Sequence, residues 1–164
     1  TGPCVVRRYL LSHHSDLGGS RMKKLALAAL LLASPAFAQN LPSPEGAEVY
    51  FISVEDGATV SSPVLIQFGL SGMGIAPAGH DQEATGHHHL LLNRAPFGES
   101  DLGDRELIVP VPSDENHLHF GGGQTEVSLD LPPGQHTMQL VLGDAAHVPH
   151  APAVVSDYIT ITVE

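Results

Sequence analysis

The stretch Thr125-Glu126-Val127-Ser128-Leu129-Asp130-Leu131, closed by Pro132-Pro133-Gly134, alternates apolar and polar residues and then halts. Alternation at period two sets one row of side chains against a core and the other in water, as in a half-buried β-strand. The prolines and the glycine supply the turn. The same punctuation recurs on both sides. Upstream, 48–54 is rich in β-branched and aromatic residues and ends at Glu55-Asp56-Gly57, and 64–70 runs into a long loop marked by Gly72, Gly74, Pro77 and Gly79. Residues 87–93 read as a third strand and 117–120 as a short fourth, broken by Gly121-Gly122-Gly123. Beyond the opening stretch, which is the fifth, 136–142 and 156–163 complete a set of seven with no convincing helix among them. Seven short strands separated by Gly/Pro turns predict an all-β domain, an immunoglobulin-like two-sheet antiparallel sandwich. An up-and-down barrel is the alternative.

Only part of the chain belongs to that domain. Met22-Lys23-Lys24, the apolar run Leu25 to Leu32 and Ala36-Phe37-Ala38 together read as a signal peptide over 22–38 with cleavage before Gln39, which predicts a periplasmic or secreted protein. The apolar run is too short to span a bilayer comfortably, and no later segment is long and apolar enough, so no membrane insertion is expected after cleavage. Residues 1–21 read as leader sequence translated upstream of a Met22 start, since Gly18-Gly19 can be encoded by a ribosome-binding sequence. A disordered extension carrying His13 and His14 is the alternative. A Pro-containing linker over 39–46 then leads into one domain over 47–164. Cys4 lies upstream of all this, so the mature chain has no disulfide and no lipid-bearing cysteine.

From Gln39 onward, seventeen Asp and Glu stand against two Arg and no Lys. Such a surface repels phosphate backbones and anionic lipids, which argues against nucleic-acid partners and favours cations. The same region holds nine histidines, grouped as His80, His87-His88-His89, His117-Leu118-His119 and His147-Val148-Pro149-His150, with His136 apart. Neutral imidazole is the commonest ligand for transition metals.

The expected topology gathers these groups. Antiparallel connections alternate between the two ends of a sandwich, so the loops after the second, fourth and sixth strands share one end, while His136 starts the sixth strand at the other. The fourth strand could instead pair beside the third, placing His87 and His89 near His117 and His119 on an outward face. In either arrangement Leu118 and Phe120 face inward, and His88 shares its face with Leu90 and Leu92, which marks it as a core-edge histidine bonded to backbone. The candidate metal ligands are His87, His89, His117, His119, His147 and His150, with His80 and Met73 as outer candidates. Six exceed the needs of one tetrahedral ion, so two ions bind or some of the six are supporting groups. Copper is the first choice, because it heads the affinity order and Met73 offers a soft thioether; zinc is the alternative. Met73 as a cover on the core end, Met138 as packing filler, and Asp81, Glu83 and Asp144 as ordinary acidic loop residues are the plainer readings of those positions.

Four stretches carry a resemblance: Gly69 to Gly79, Gly86-His87-His88-His89-Leu90-Leu91, His117 to Glu126, and Leu140 to His150. They resemble a bacterial exported family catalogued as a domain of unknown function. The resemblance covers the chain from about Ala47 and implies one small domain after a signal peptide, without an activity. His117-Leu118-His119 is also similar to the His-Val-His element of copper-zinc superoxide dismutases, but that family's disulfide, zinc loop and bridging histidine have no counterpart here. There is no His-Glu-x-x-His, no Gly-x-Ser-x-Gly and no mature cysteine nucleophile. A monomeric or weakly associating, non-catalytic copper buffer or carrier is therefore expected. A structural or protein-interaction module with hydrogen-bonded or pH-responsive histidines, its partner unidentified, is the second reading. A copper-dependent redox enzyme is the third.

Overall fold

A computed structural model describes residues 40–164. The expected leader and signal peptide lie outside the described residues. All seven anticipated strands form: β1 (Glu48–Phe51), β3 (Val64–Ser71), β5 (Thr85–Leu92), β6 (His117–His119), β7 (Glu126–Leu129), β8 (Gly134–Gly143) and β9 (Ile159–Val163). Two more, β2 (Thr59–Val60) and β4 (Gly74–Ile75), are only two residues long, too short for any periodicity to betray them. A six-residue 3-10 helix, Gly103–Ile108, interrupts the stretch expected to be irregular.

One sheet has the order β1-β3-β7, and the other β2-β9-β8-β5-β4 with β6 also paired to β5. Three strands facing β9-β8-β5 in this order give the immunoglobulin arrangement. The purely antiparallel sheets expected from the sequence are corrected in one respect: β2 runs parallel to β9 and β4 parallel to β5. The short β6 takes the alternative position, antiparallel to β5, with His119 opposite His89 and His117 opposite Leu91.

Between the sheets lies the main core, including Val49, Ile66 and Phe68 from one side and Leu90, Met138, Leu140, Leu142 and Ile161 from the other. Full burial of each large aliphatic side chain contributes about 1.5–3 kcal/mol. Every residue of β5 is buried, because the strand is covered on both faces. Its inner face packs into the main core. On the outer face, Leu91 and Val141 meet Val111, Phe97 and Val155 in a second apolar cluster, so the long connection between β5 and β6 lies over the sheet.

An ion pair fastens that connection. Arg94 Nη2 donates to Glu106 Oε1 at 2.5 Å, and Glu106 also accepts from the Ser100 hydroxyl and the Gly98 amide. Burial raises the Glu106 carboxyl, but Ser100, Gly98 and Arg94 outweigh it and hold the group below its ordinary value. Among the described residues, no helix is long and apolar enough to cross a membrane.

Candidate functional site

The run His87-His88-His89 is divided by strand geometry. Successive side chains on β5 point to opposite faces, so His88 goes into the core and His87 and His89 go to the outer face. Pairing of β5 with β6 brings His119 directly across from His89 on that same face. The three rings sit 4.9 Å (His87 to His89), 5.0 Å (His87 to His119) and 5.0 Å (His89 to His119) apart between centroids. Each offers a ring nitrogen, and the three nitrogens all lie within 4.8 Å of one another.

Glycines make room for these rings. A Cβ on Gly121 would collide with the His119 imidazole. One on Gly143, across from His87 in the ladder, would stand 2.9 Å from His89 Nε2. Neither glycine was singled out as part of a site by the sequence reading, although Gly121 opens the glycine triplet that ends β6.

The loop after β8 lies over the group and brings up His147, whose ring is 5.0 Å from His87, 5.8 Å from His89 and 4.7 Å from His119 between centroids, although its nitrogens fall outside the set that lies within 4.8 Å. Asp144 organises this loop, since its Oδ1 accepts the amides of Ala146 at 2.8 Å and Val148 at 2.9 Å. That is a more specific role than the ordinary acidic loop residue expected. The neighbouring loops are tied in as well: Ala78 donates its amide to the Gly121 carbonyl and Gly79 to that of Ala145, each at 2.9 Å.

The electrostatics favour neutral rings. Burial, followed by the neighbouring imidazoles His147 and His119, lowers His87 to about 4, partly opposed by the Asp144 carboxylate. Burial and the same kind of crowding, from His87 first, lower His89 to about 3. Burial and then His147 lower His119 too. Near neutral pH all three therefore keep lone pairs available to a metal.

Hydrogen bonding leaves much of the cluster unspent. His87 Nε2 and His89 Nε2 face each other at 3.1 Å, one donating to the other. His87 Nδ1, His89 Nδ1 and His119 Nε2 are buried without any partner. Buried polar atoms normally find one, so this concentration in one place calls for an explanation. A tetrahedral ion with bonds of about 2.0–2.1 Å has nitrogen-to-nitrogen edges of roughly 3.3 Å, close to the separation of the two facing nitrogens. The arrangement can hold a cation with small ring adjustments.

The remaining predicted ligands are placed elsewhere. His117 does not join the group: Arg94 Nη1 donates to its Nε2 at 2.5 Å, while its Nδ1 donates to Asp114 at 2.8 Å, so both nitrogens are taken. His150 is buried with both nitrogens unpartnered, but it is outside the close group of rings. His80 is exposed, and Met73 packs against the main core. His136, as expected, is remote; it accepts from Asn93 and donates to the Pro132 carbonyl. His88 is in the core as expected, its ring packed against Phe68 at 5.1 Å; neither nitrogen makes a well-formed hydrogen bond, and burial, partly opposed by the Gln124 backbone, lowers it to about 4.

The family model described as Domain of unknown function (DUF4399) matches residues 66–164. The chain belongs to this family. The DUF4399 match starts within β3 and takes in His87, His89, His119, Asp144 and His147, so the whole cluster lies in the family's domain. No curated protein matches the chain. Among solved structures, an endo-beta-1,4-mannanase from Thermotoga petrophila is similar at 17% identity and a TM-score of 0.38, over 72% of this chain. The chain spans only 20% of that structure's length, and a likeness at this level carries no argument about function.

Proposed function

We propose that this domain is an exported metal-binding protein, a copper buffer or carrier whose ion is held by His87, His89 and His119. The observation that carries the reading is the set of three imidazoles, His87 and His89 fully buried and His119 partly so, that bring one nitrogen each within 4.8 Å of the others, with His119 Nε2 buried and unpartnered. A cation in place of the proton shared by the two Nε2 atoms of His87 and His89 would keep both of those nitrogens engaged and give the orphaned His119 Nε2 a bond. Copper is preferred because it heads the affinity order for nitrogen ligands, with zinc as the alternative. Met73, packed in the core, gives no additional support to Cu(I). Export rests on the signal-like segment over 22–38.

Competitive titration of the untagged protein with copper and zinc tests this reading. One ion per chain is expected, with His119→Ala weakening binding by at least tenfold and His117→Gln binding like the parent. A parent protein with no stoichiometric ion, or a His119→Ala variant that titrates like the parent, overturns it.

A further inference from the structure

The three proposed ligands lie on paired strands, where moving a ring far would disturb the ladder, whereas His147 is delivered by a turn. His147, like His119, is only half-buried, while His87 and His89 have no exposed surface, so the group opens to solvent on the His119 and His147 side. Its backbone has φ 69°, a left-handed conformation uncommon for a residue with a Cβ and freely adopted by glycine. Unfavourable backbone of this kind persists where surrounding structure imposes it, and it concentrates at functional sites.

Here the restraint can be named. The Asp144 carboxylate holds the amides on either side of His147, at Ala146 and Val148. His147 donates its own amide to the Asp144 carbonyl, and its carbonyl accepts from the Val111 amide, each at 2.9 Å. Asp144 is itself 8% exposed, so its bonds to the turn are largely shielded from competing water. The result is an imidazole whose ring centre is held within 5.8 Å of each of the other three, on the more exposed side of the group.

We propose that the turn from Gly143 to His150 is an exchange latch: His147 supplies the fourth ligand and closes the site over the ion, and Asp144 is the positioning residue that holds it there. This rests on the metal-binding reading and adds the route of loading and release. Three strand-borne imidazoles form an open half-site that accepts an ion. Closure by His147 completes a four-nitrogen shell, and its dissociation opens the first coordination position to an incoming ligand.

The test uses copper-loaded full-length protein, with ion release to an excess of chelator followed by stopped flow and imidazole ligands counted by X-ray absorption. His147→Gly removes the ring while suiting the backbone conformation, so the metal-free variant should unfold cooperatively like the parent. It should still bind one ion, with the imidazole count falling from four to three and release accelerating by roughly tenfold or more. Asp144→Asn retains an oxygen acceptor for both amides and should keep four imidazoles. Asp144→Ala should lose the fourth, with release faster by roughly the ten- to hundredfold typical of lost supporting groups at metal sites. Four imidazoles or parental release in His147→Gly overturns the latch, as does an Asp144→Ala variant identical to the parent. Absence of bound metal from the parent itself would instead overturn the underlying reading, so the two failures are distinguishable.

Discussion

His88 should make the metal-free protein acid-sensitive, and His88→Leu should remove that part of the sensitivity. The ring has no exposed surface, touches Phe68 and makes no well-formed hydrogen bond, so burial, only partly opposed by the Gln124 backbone, lowers its pKa from 6.5 to about 4. An imidazole with a depressed folded-state pKa takes up its proton preferentially in the unfolded chain. Its stability contribution is therefore intact above pH 6.5, lost as pH falls from 6.5 towards 4, and constant below that. Between pH 6.5 and 5, the loss is about 1.5 pH units at about 1.36 kcal/mol each, or about 2 kcal/mol. Leucine has nearly the same volume and leaves no orphaned nitrogen in the core. Urea unfolding of metal-free parent and variant at pH 7 and pH 5 isolates the effect, because the contributions of His87 and His89 are common to both proteins. The parent should lose about 2 kcal/mol more than His88→Leu over this interval. An equal loss in the two proteins would refute the account of His88 as a neutral imidazole sealed in the core.

The other expectations concern the cover and the metal. Glu106→Gln leaves the Arg94 guanidinium without its charged partner and should destabilise the fold by about 2–4 kcal/mol at neutral pH, measured by urea unfolding; a change below about 0.5 kcal/mol would contradict the clasp. Gly121→Ala places a methyl where the His119 ring lies, and titration should show metal affinity down by at least tenfold with far-ultraviolet circular dichroism retained. Copper at about a hundredfold above its Kd should stabilise the folded state by about 2.7 kcal/mol. For a domain of this size that amounts to a rise of about 10 °C in Tm by calorimetry, lost in His119→Ala.

The strand pattern was legible because alternation and turn residues are local properties. Val127 and Leu129 pack against the main core while Glu126 and Ser128 are exposed, as period two requires. What escaped was whatever depends on a distant partner. The parallel pairings of β2 and β4 leave no signal in two residues each, and the burial of Asp144 depends on a loop folding back over the sheet. Convergence of histidines from three regions followed from the sandwich topology, but membership of the group depended on register and local neighbours. His117 and His119 share a face of β6, yet they stand nearly 7 Å apart along the strand. That step carries His117 to Arg94 and Asp114, whereas His119 meets His89. No spacing in the sequence announces that an arginine at the end of β5 will claim one of two equivalent histidines. His80 and Met73 were likewise counted as outer ligands from their loop, but one is exposed and the other packs inward.

Anomalous diffraction from crystals of copper-loaded protein, recorded on both sides of the copper absorption edge, tests the central claim most directly. The account predicts a single strong peak within about 2.0–2.2 Å of nitrogens from His87, His89 and His119. A peak at His117, His150 or His80 in place of that site, or no peak in protein given excess copper, would contradict it.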